Sequence, residues 1–152
     1  MLKYLFGLPK MLNITYTINQ SNEHQIIEHF EKCEAVFYER LKSRVNIVEH
    51  SKKLYEKSTR YEAWNDNGGG WCNILVGLIG AYVNNEWVYI TNVSVAECYK
   101  HNGIGTKLMN MLITDNRNKI FKLEVDLYND NAIRFYKKFN FKAISLNMSA
   151  KK

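Results

Sequence analysis

A single proline in 152 residues leaves no room for a proline-rich linker or a collagen-like segment. No apolar run approaches the roughly 20 residues that a membrane-spanning helix needs. The patch from Tyr4 to Leu8 is interrupted by Pro9 and Lys10, which a secretory signal would not tolerate. Cysteines are few and odd in number, Cys33, Cys72 and Cys98, and no pair has the spacing of a metal clip or redox motif. His24 and His29 are five apart, not the i, i+4 spacing of a helical metal pair, so no metal site is expected. Repeats and low-complexity tracts are missing. These absences predict a cytoplasmic, membrane-free protein with one domain over residues 1–152. Residues 1–10 read as a non-essential N-terminal extension, with Met11 as an alternative start.

What is present is ordinary for a globular chain, 46% hydrophobic and 24% charged residues, in a range typical of folded domains. The charge is unevenly placed. From Cys98 to Lys152 there are eleven Lys/Arg against four Asp/Glu, a net of +7, whereas the preceding residues sum to −1. A basic C-terminal third suits a polyphosphorylated ligand or nucleic acid.

Asn13–Ile18 alternates as a strand does. Asn22 and Gln25 form a helix-start signature, followed by Ile26, Phe30, Cys33, Phe37 and Leu41 at helical spacing. A second helix is expected near Asn46–Lys57. Strands are expected at Arg60–Trp64, Ile74–Val83 and Trp87–Val95, with turn chemistry at residues 65–70. A helix opening at Gly103, a strand Ile120–Leu127, a helix Asn129–Phe139 and a closing strand Phe141–Leu146 complete the order. The pattern predicts a mixed α/β fold in which Trp87–Val95 and Ile120–Leu127 are parallel partners of a βαβ crossover.

The chemistry concentrates between Val93 and Leu108. A strand feeds a loop with Gly103 and Gly105, and the loop feeds a helix. Glycine lets backbone N–H groups approach a ligand closely, and a helix N-terminus adds free donors and partial positive charge. Leu108 stands where a dinucleotide fingerprint needs its third glycine, and Gly105-Thr106-Lys107 has the wrong order for a P-loop.

The run Lys100-x-x-Gly103-Ile104-Gly105-x-x-Leu108-Met109 resembles the acyl-CoA motif of the GNAT superfamily of N-acetyltransferases. A second motif of that family is matched by Leu123-Glu124-Val125 and Asn129-x-x-Ala132-Ile133-x-Phe135-Tyr136-x-x-x-Asn140-Phe141. Lys100 replaces the usual Arg or Gln, keeping charge without a planar fork of donors. Asn140 replaces a glycine, a mild change at a left-handed helix C-cap.

The resemblance implies a central, mostly antiparallel mixed sheet splayed between its fourth and fifth strands, with helices on both faces. It implies acetyl-CoA as co-substrate and no metal. The pyrophosphate would lie on the loop formed by Lys100, His101, Asn102, Gly103, Ile104, Gly105 and Thr106. The pantetheine arm would pair with Val93, Ser94 and Val95, and Asn129 would help to hold it. Tyr136 would protonate the leaving thiolate. No base is legible: Glu62 is a candidate catalytic residue, Glu97 and Tyr89 are others, and the family often uses a water chain.

The expected activity is acetyl transfer to a primary amine of a small molecule, by a monomer or homodimer. Acetylation of protein N-termini or lysines is the alternative within the fold. A non-catalytic CoA-sensing or nucleic-acid-binding module is the alternative outside it. Nucleic acid is disfavoured, because no glycine–aromatic RNA-binding signature is present.

Overall fold

A computed structural model describes residues 13–66 and 73–152. The N-terminal extension, Cys72 and most of the expected 65–70 turn lie outside the described residues. In chain order the elements are β1 (Ile14–Ile18), α1 (Glu23–Glu31), α2 (Ala35–Arg44), α3 (Ile47–Lys57), β2 (Thr59–Asp66), β3 (Asn73–Val83), β4 (Trp87–Val95), α4 (Ile104–Asp115), β5 (Ile120–Leu123) and α5 (Asp130–Lys137). A short 3₁₀ turn, Glu97–Tyr99, lies between β4 and α4. The five strands form one sheet in sequential order. The first three pairings are antiparallel and β4–β5 is parallel.

Helices cover both faces. On one side Ile26 and Phe30 of α1 and Leu54 of α3 pack on Trp64, Leu75 and Leu78. On the other, Ile104, Leu108, Met109 and Leu112 of α4 pack on Ala63, Val76, Ile79, Val88 and Ile90. Two glycines of β3 permit this double cover. A Cβ on Gly77 would stand 2.7 Å from Ile104 Cγ2, and one on Gly80 would stand 2.6 Å from Leu54 Cδ2. Among the described residues no helix is long and apolar enough to cross a membrane.

Three expectations need correction. The helix expected to run continuously to Leu41 is two helices. The α1 end closes through Lys32 N–H to His29 O and Cys33 N–H to Phe30 O, and the Lys32 carbonyl accepts from Glu97 N–H at 2.8 Å. A tertiary hydrogen bond thus holds a turn that apolar spacing alone runs through. The fifth strand stops at Leu123, four residues before its expected end. Phe141–Leu146 forms no strand, and every residue from Lys142 onward is exposed.

Candidate active site

The parallel ladder between β4 and β5 runs only from Trp87–Ile120 to Ile90–Leu123. Beyond it β4 continues to Val95, still paired with β3 but with its other edge open. This is the splay, and it lies at the carboxyl ends of the two parallel strands, where α/β sheets place their ligands. Ala96 N–H is turned toward β3, donating to Val76 O at 2.8 Å. Backbone groups alternate sides along a strand, so Val95 N–H faces the open gap. Val93 and Val95 rest against the α4-side core. Ser94 points to the other face, where its hydroxyl meets His29 Nε2 at 2.8 Å and accepts from Asn92 Nδ2 at 3.0 Å.

That contact is part of a buried brace. His29 Nδ1 lies 2.9 Å from the Leu75 carbonyl. A carbonyl only accepts, so Nδ1 carries the proton and Nε2 accepts from Ser94 Oγ. Burial pushes the His29 pKa down to about 4, keeping the ring neutral. Cys33 sits beside it, its thiol driven up to about 12 by burial, so it stays an unreactive thiol.

Past Val95 the chain turns through the 3₁₀ segment into the glycine loop. His101 and Gly103 both have positive φ, 64° and 75°. The Asn102 side chain braces the turn by donating to the Tyr99 and Lys100 carbonyls, 3.0 Å each. The side chains of Asn22, Asn46 and Asn129 cap α1, α3 and α5. Gly103 gives α4 no such cap, and the N–H groups of Ile104, Gly105 and Thr106 find no partner among the described residues. A Cβ on Gly103 would meet nothing within 4 Å. The result is an open cradle of donors suited to a phosphate. Lys100 does not reach into it: its Nζ pairs with Glu34 at 2.7 Å and Glu97 at 3.4 Å. That pairing also holds the Glu34 carboxyl below its ordinary range.

The far wall of the gap is α5. Asn129 caps it, accepting from Ala132 N–H at 3.2 Å. Phe135 reaches across to α4, its ring 3.5 Å from where a Gly105 Cβ would stand. Tyr136 is half-buried between Phe135 and Phe141, ring centroids 5.5 and 5.8 Å away. Burial raises its pKa to about 12, and its hydroxyl has no hydrogen-bond partner among the described residues. It is therefore a protonated, unspent donor.

The candidate bases are placed very differently. Glu62 is fully buried. Its carboxylate accepts from Thr17 Oγ1 (2.9 Å), Gln20 N–H (2.6 Å), Ser21 N–H (2.8 Å) and Ser21 Oγ, and Arg60 Nε lies at 3.4 Å. It has no surface left to meet an acceptor, so it ties the β1–α1 turn to β2 instead of facing the cleft. Glu97 is committed to Lys100. Tyr89 is partly exposed on the face opposite α4, with burial first and the nearby Glu124 carboxylate second raising its pKa. Glu124 follows the last residue of β5, at the throat of the splay. Sequence reasoning passed over it as one letter of a motif, although an exposed acid between Leu123 and Val125 at a strand end was the available signal.

No curated protein matches the sequence significantly. The fold is similar to that of a protein from Pyrococcus furiosus described as an acetyl transferase, at TM-score 0.67 and 18% identity, covering 92% of this chain and 100% of that one. A GNAT-family acetyltransferase from Streptococcus pneumoniae matches at TM-score 0.65 and 15% identity, with 91% and 99% covered. The ribosomal-protein-S18-alanine N-acetyltransferase of Escherichia coli matches at 0.65 and 17%, with 86% and 80% covered. The sequence pattern of the acetyltransferase (GNAT) family itself matches residues 24–141, a span that contains the splayed strands, the glycine loop and Tyr136, and the chain belongs to that family.

Proposed function

We propose that this protein is an acetyl-CoA-dependent N-acetyltransferase that modifies a primary amine of a small molecule. The observation that carries the reading is one open track: the unpaired β4 edge to Val95, then the uncapped amides of α4, with α5 brought against Gly105 through Phe135 and Tyr136 next to it on that helix. Bound acetyl-CoA would supply the activated thioester. The residues present fit it, since Gly103 leaves the cradle open and the α4 amides have no competing cap. The amides of Ile104, Gly105 and Thr106 would bind the pyrophosphate, with Lys100 held back by Glu34 and Glu97. Val93 and Val95 would align the arm, and Asn129 would flank it. Val95 N–H, on the open edge of β4, would stabilise the negative charge that develops on the carbonyl oxygen. Tyr136 would give its proton to the departing sulfur. Glu124, near Tyr89 and exposed at the end of β5, would take the proton of the amine, the part first sought in Glu62.

The test combines calorimetric titration with acetyl-CoA and a screen of amines, read by release of free CoA. Binding is expected at one molecule per chain, and at least one small amine should release CoA. Tyr136→Phe and Glu124→Gln should each cut turnover by roughly 10²–10⁴-fold with cofactor affinity retained. Absence of binding at millimolar cofactor overturns the reading. Release driven only by peptides with a free N-terminus would move the acceptor to protein; the Escherichia coli structural neighbour acts on a ribosomal protein.

A further inference from the structure

We propose that the acceptor carries a carboxylate beside its primary amine, as an amino acid does, and that Arg40 on α2 binds that carboxylate. The inference rests on the acetyl-transfer reading and names the acceptor class for the same site. It starts from the placement of α2. Glu34, the residue that opens α2, pairs at 2.7 Å with Lys100, on the chain that follows β4. Arg44, the last residue of α2, meets both oxygens of Asp126 at 2.9 Å, on the chain that follows β5. The two ends of one helix are thus tied to the continuations of the two strands that part. Phe37, Tyr38 and Leu41 pack on the core under α1 and α3, which sets α2 on the sheet face opposite α4. The amide cradle lies on the α4 side, so an amine that approaches from the other face meets α2.

The charge that α2 shows there is positive and partly unspent. Arg40 stands one turn before Arg44, with its side chain 44% exposed. Its Nη1 is 3.6 Å from Asp126, close enough for an ion pair and too far for a hydrogen bond. The acids around it have other partners. Asp126 accepts from Arg44 through both oxygens, and Glu34 is bonded to Lys100. Two guanidinium groups therefore converge on one carboxylate. That leaves an excess positive charge and, on Arg40, a planar fork of donors suited to a second carboxylate. Glu124, two residues before Asp126, is exposed and supplies the opposite sign. An amino acid matches the pair, its ammonium toward Glu124 and its carboxylate toward Arg40. A diamine would set its second cation against Arg40 and Arg44, which selects against it. In the transfer, the acceptor nitrogen bonds to the acetyl carbon as the C–S bond breaks. The amine proton passes to Glu124 and the sulfur takes the Tyr136 proton. Arg40 takes no part in these bond changes and fixes where the amine stands.

Release of free CoA from acetyl-CoA, measured with amino acids, with their amides and with linear diamines, tests it. An amino acid and its amide share the amine and differ only at the carboxylate. For the best amino acid, kcat/KM should exceed that of its amide by roughly 10- to 100-fold, the span of a hydrogen bond to a charged group, with the difference carried by KM. Arg40→Gln should bring that ratio close to one. Arg40→Lys should retain part of it, and Arg40→Glu should turn the preference toward diamines. Equal use of amino acid and amide by the parent, or better use of a diamine, overturns the acceptor class and leaves acetyl transfer standing. A ratio that survives Arg40→Gln overturns the role of Arg40, even where both rates fall, because the carboxylate would then be read elsewhere. No release with any of the three classes overturns the small-amine reading and this inference with it.

Discussion

At the scale of single residues, the site depends on which polar groups are spent and which are free. Glu62 is spent. Glu62→Gln would leave Arg60, itself 3% exposed, without its carboxylate, and breaking such a buried pair costs about 3–5 kcal/mol. Denaturant unfolding should show that loss, while turnover per folded molecule stays close to the parent; a large fall in turnover with unchanged stability would restore Glu62 to the chemistry. His29 makes a pH-dependent prediction. Its folded pKa of about 4 lies below the unfolded value of about 6.5, so the unfolded chain binds more protons between those limits. The stability it contributes is complete above pH 6.5 and is lost as pH falls toward 4, by about 3 kcal/mol in total. His29→Gln, which can still donate to Leu75 O or accept from Ser94, should flatten melting temperature against pH across that window.

At the scale of elements, the approach of α4 to the sheet positions the donor cradle. Gly77→Ala places a Cβ 2.7 Å from Ile104 Cγ2, on a branched side chain at the first turn of the helix. Overpacking of this kind costs about 1–3 kcal/mol. It should weaken acetyl-CoA binding as well, because Ile104 moves with the amides around it; chemical unfolding and calorimetry on the same variant would show both. The second helix is held in another way. α2 has no fully buried residue; Phe37, Tyr38 and Leu41 pack partly buried against the core under α1 and α3, and exposed ion pairs, each worth little, add to this: Arg44 to both oxygens of Asp126 at 2.9 Å and Arg40 at 3.6 Å, with Lys100–Glu34 at its start. Its amphipathic spacing was legible in the sequence. Its break from α1 was not, because the Lys32–Glu97 hydrogen bond joins residues that no local pattern connects.

At the scale of the whole molecule, the cradle lies within the basic C-terminal third of the sequence, while Lys100 itself is paired with Glu34 and Glu97. Binding of a polyphosphate should therefore draw on the general field and weaken steadily with ionic strength, since exposed charges are screened over about 10 Å at 0.1 M salt. Titrations at rising salt would show this, and Lys100→Gln should change the affinity little; a collapse of affinity in that variant would mean that Lys100 leaves Glu34 for the ligand.

The sequence by itself determined the types of most elements between β1 and α5, the crossover, the glycine loop ahead of α4 and the place of Tyr136 in α5. Each of these is written in residues close together in the chain, where periodicity and glycine placement act locally. Tertiary structure alone decided that Glu62 is walled in, that Lys100 is paired with Glu34, that Glu124 stands at the throat of the splay, and that the C-terminal segment finds no place in its own sheet. Those outcomes rest on contacts between distant residues, such as Gln20 with Glu62 or Glu34 with Lys100, and on which edge of a strand is left open. Burial and pairing of that kind exist only once the sheet is assembled.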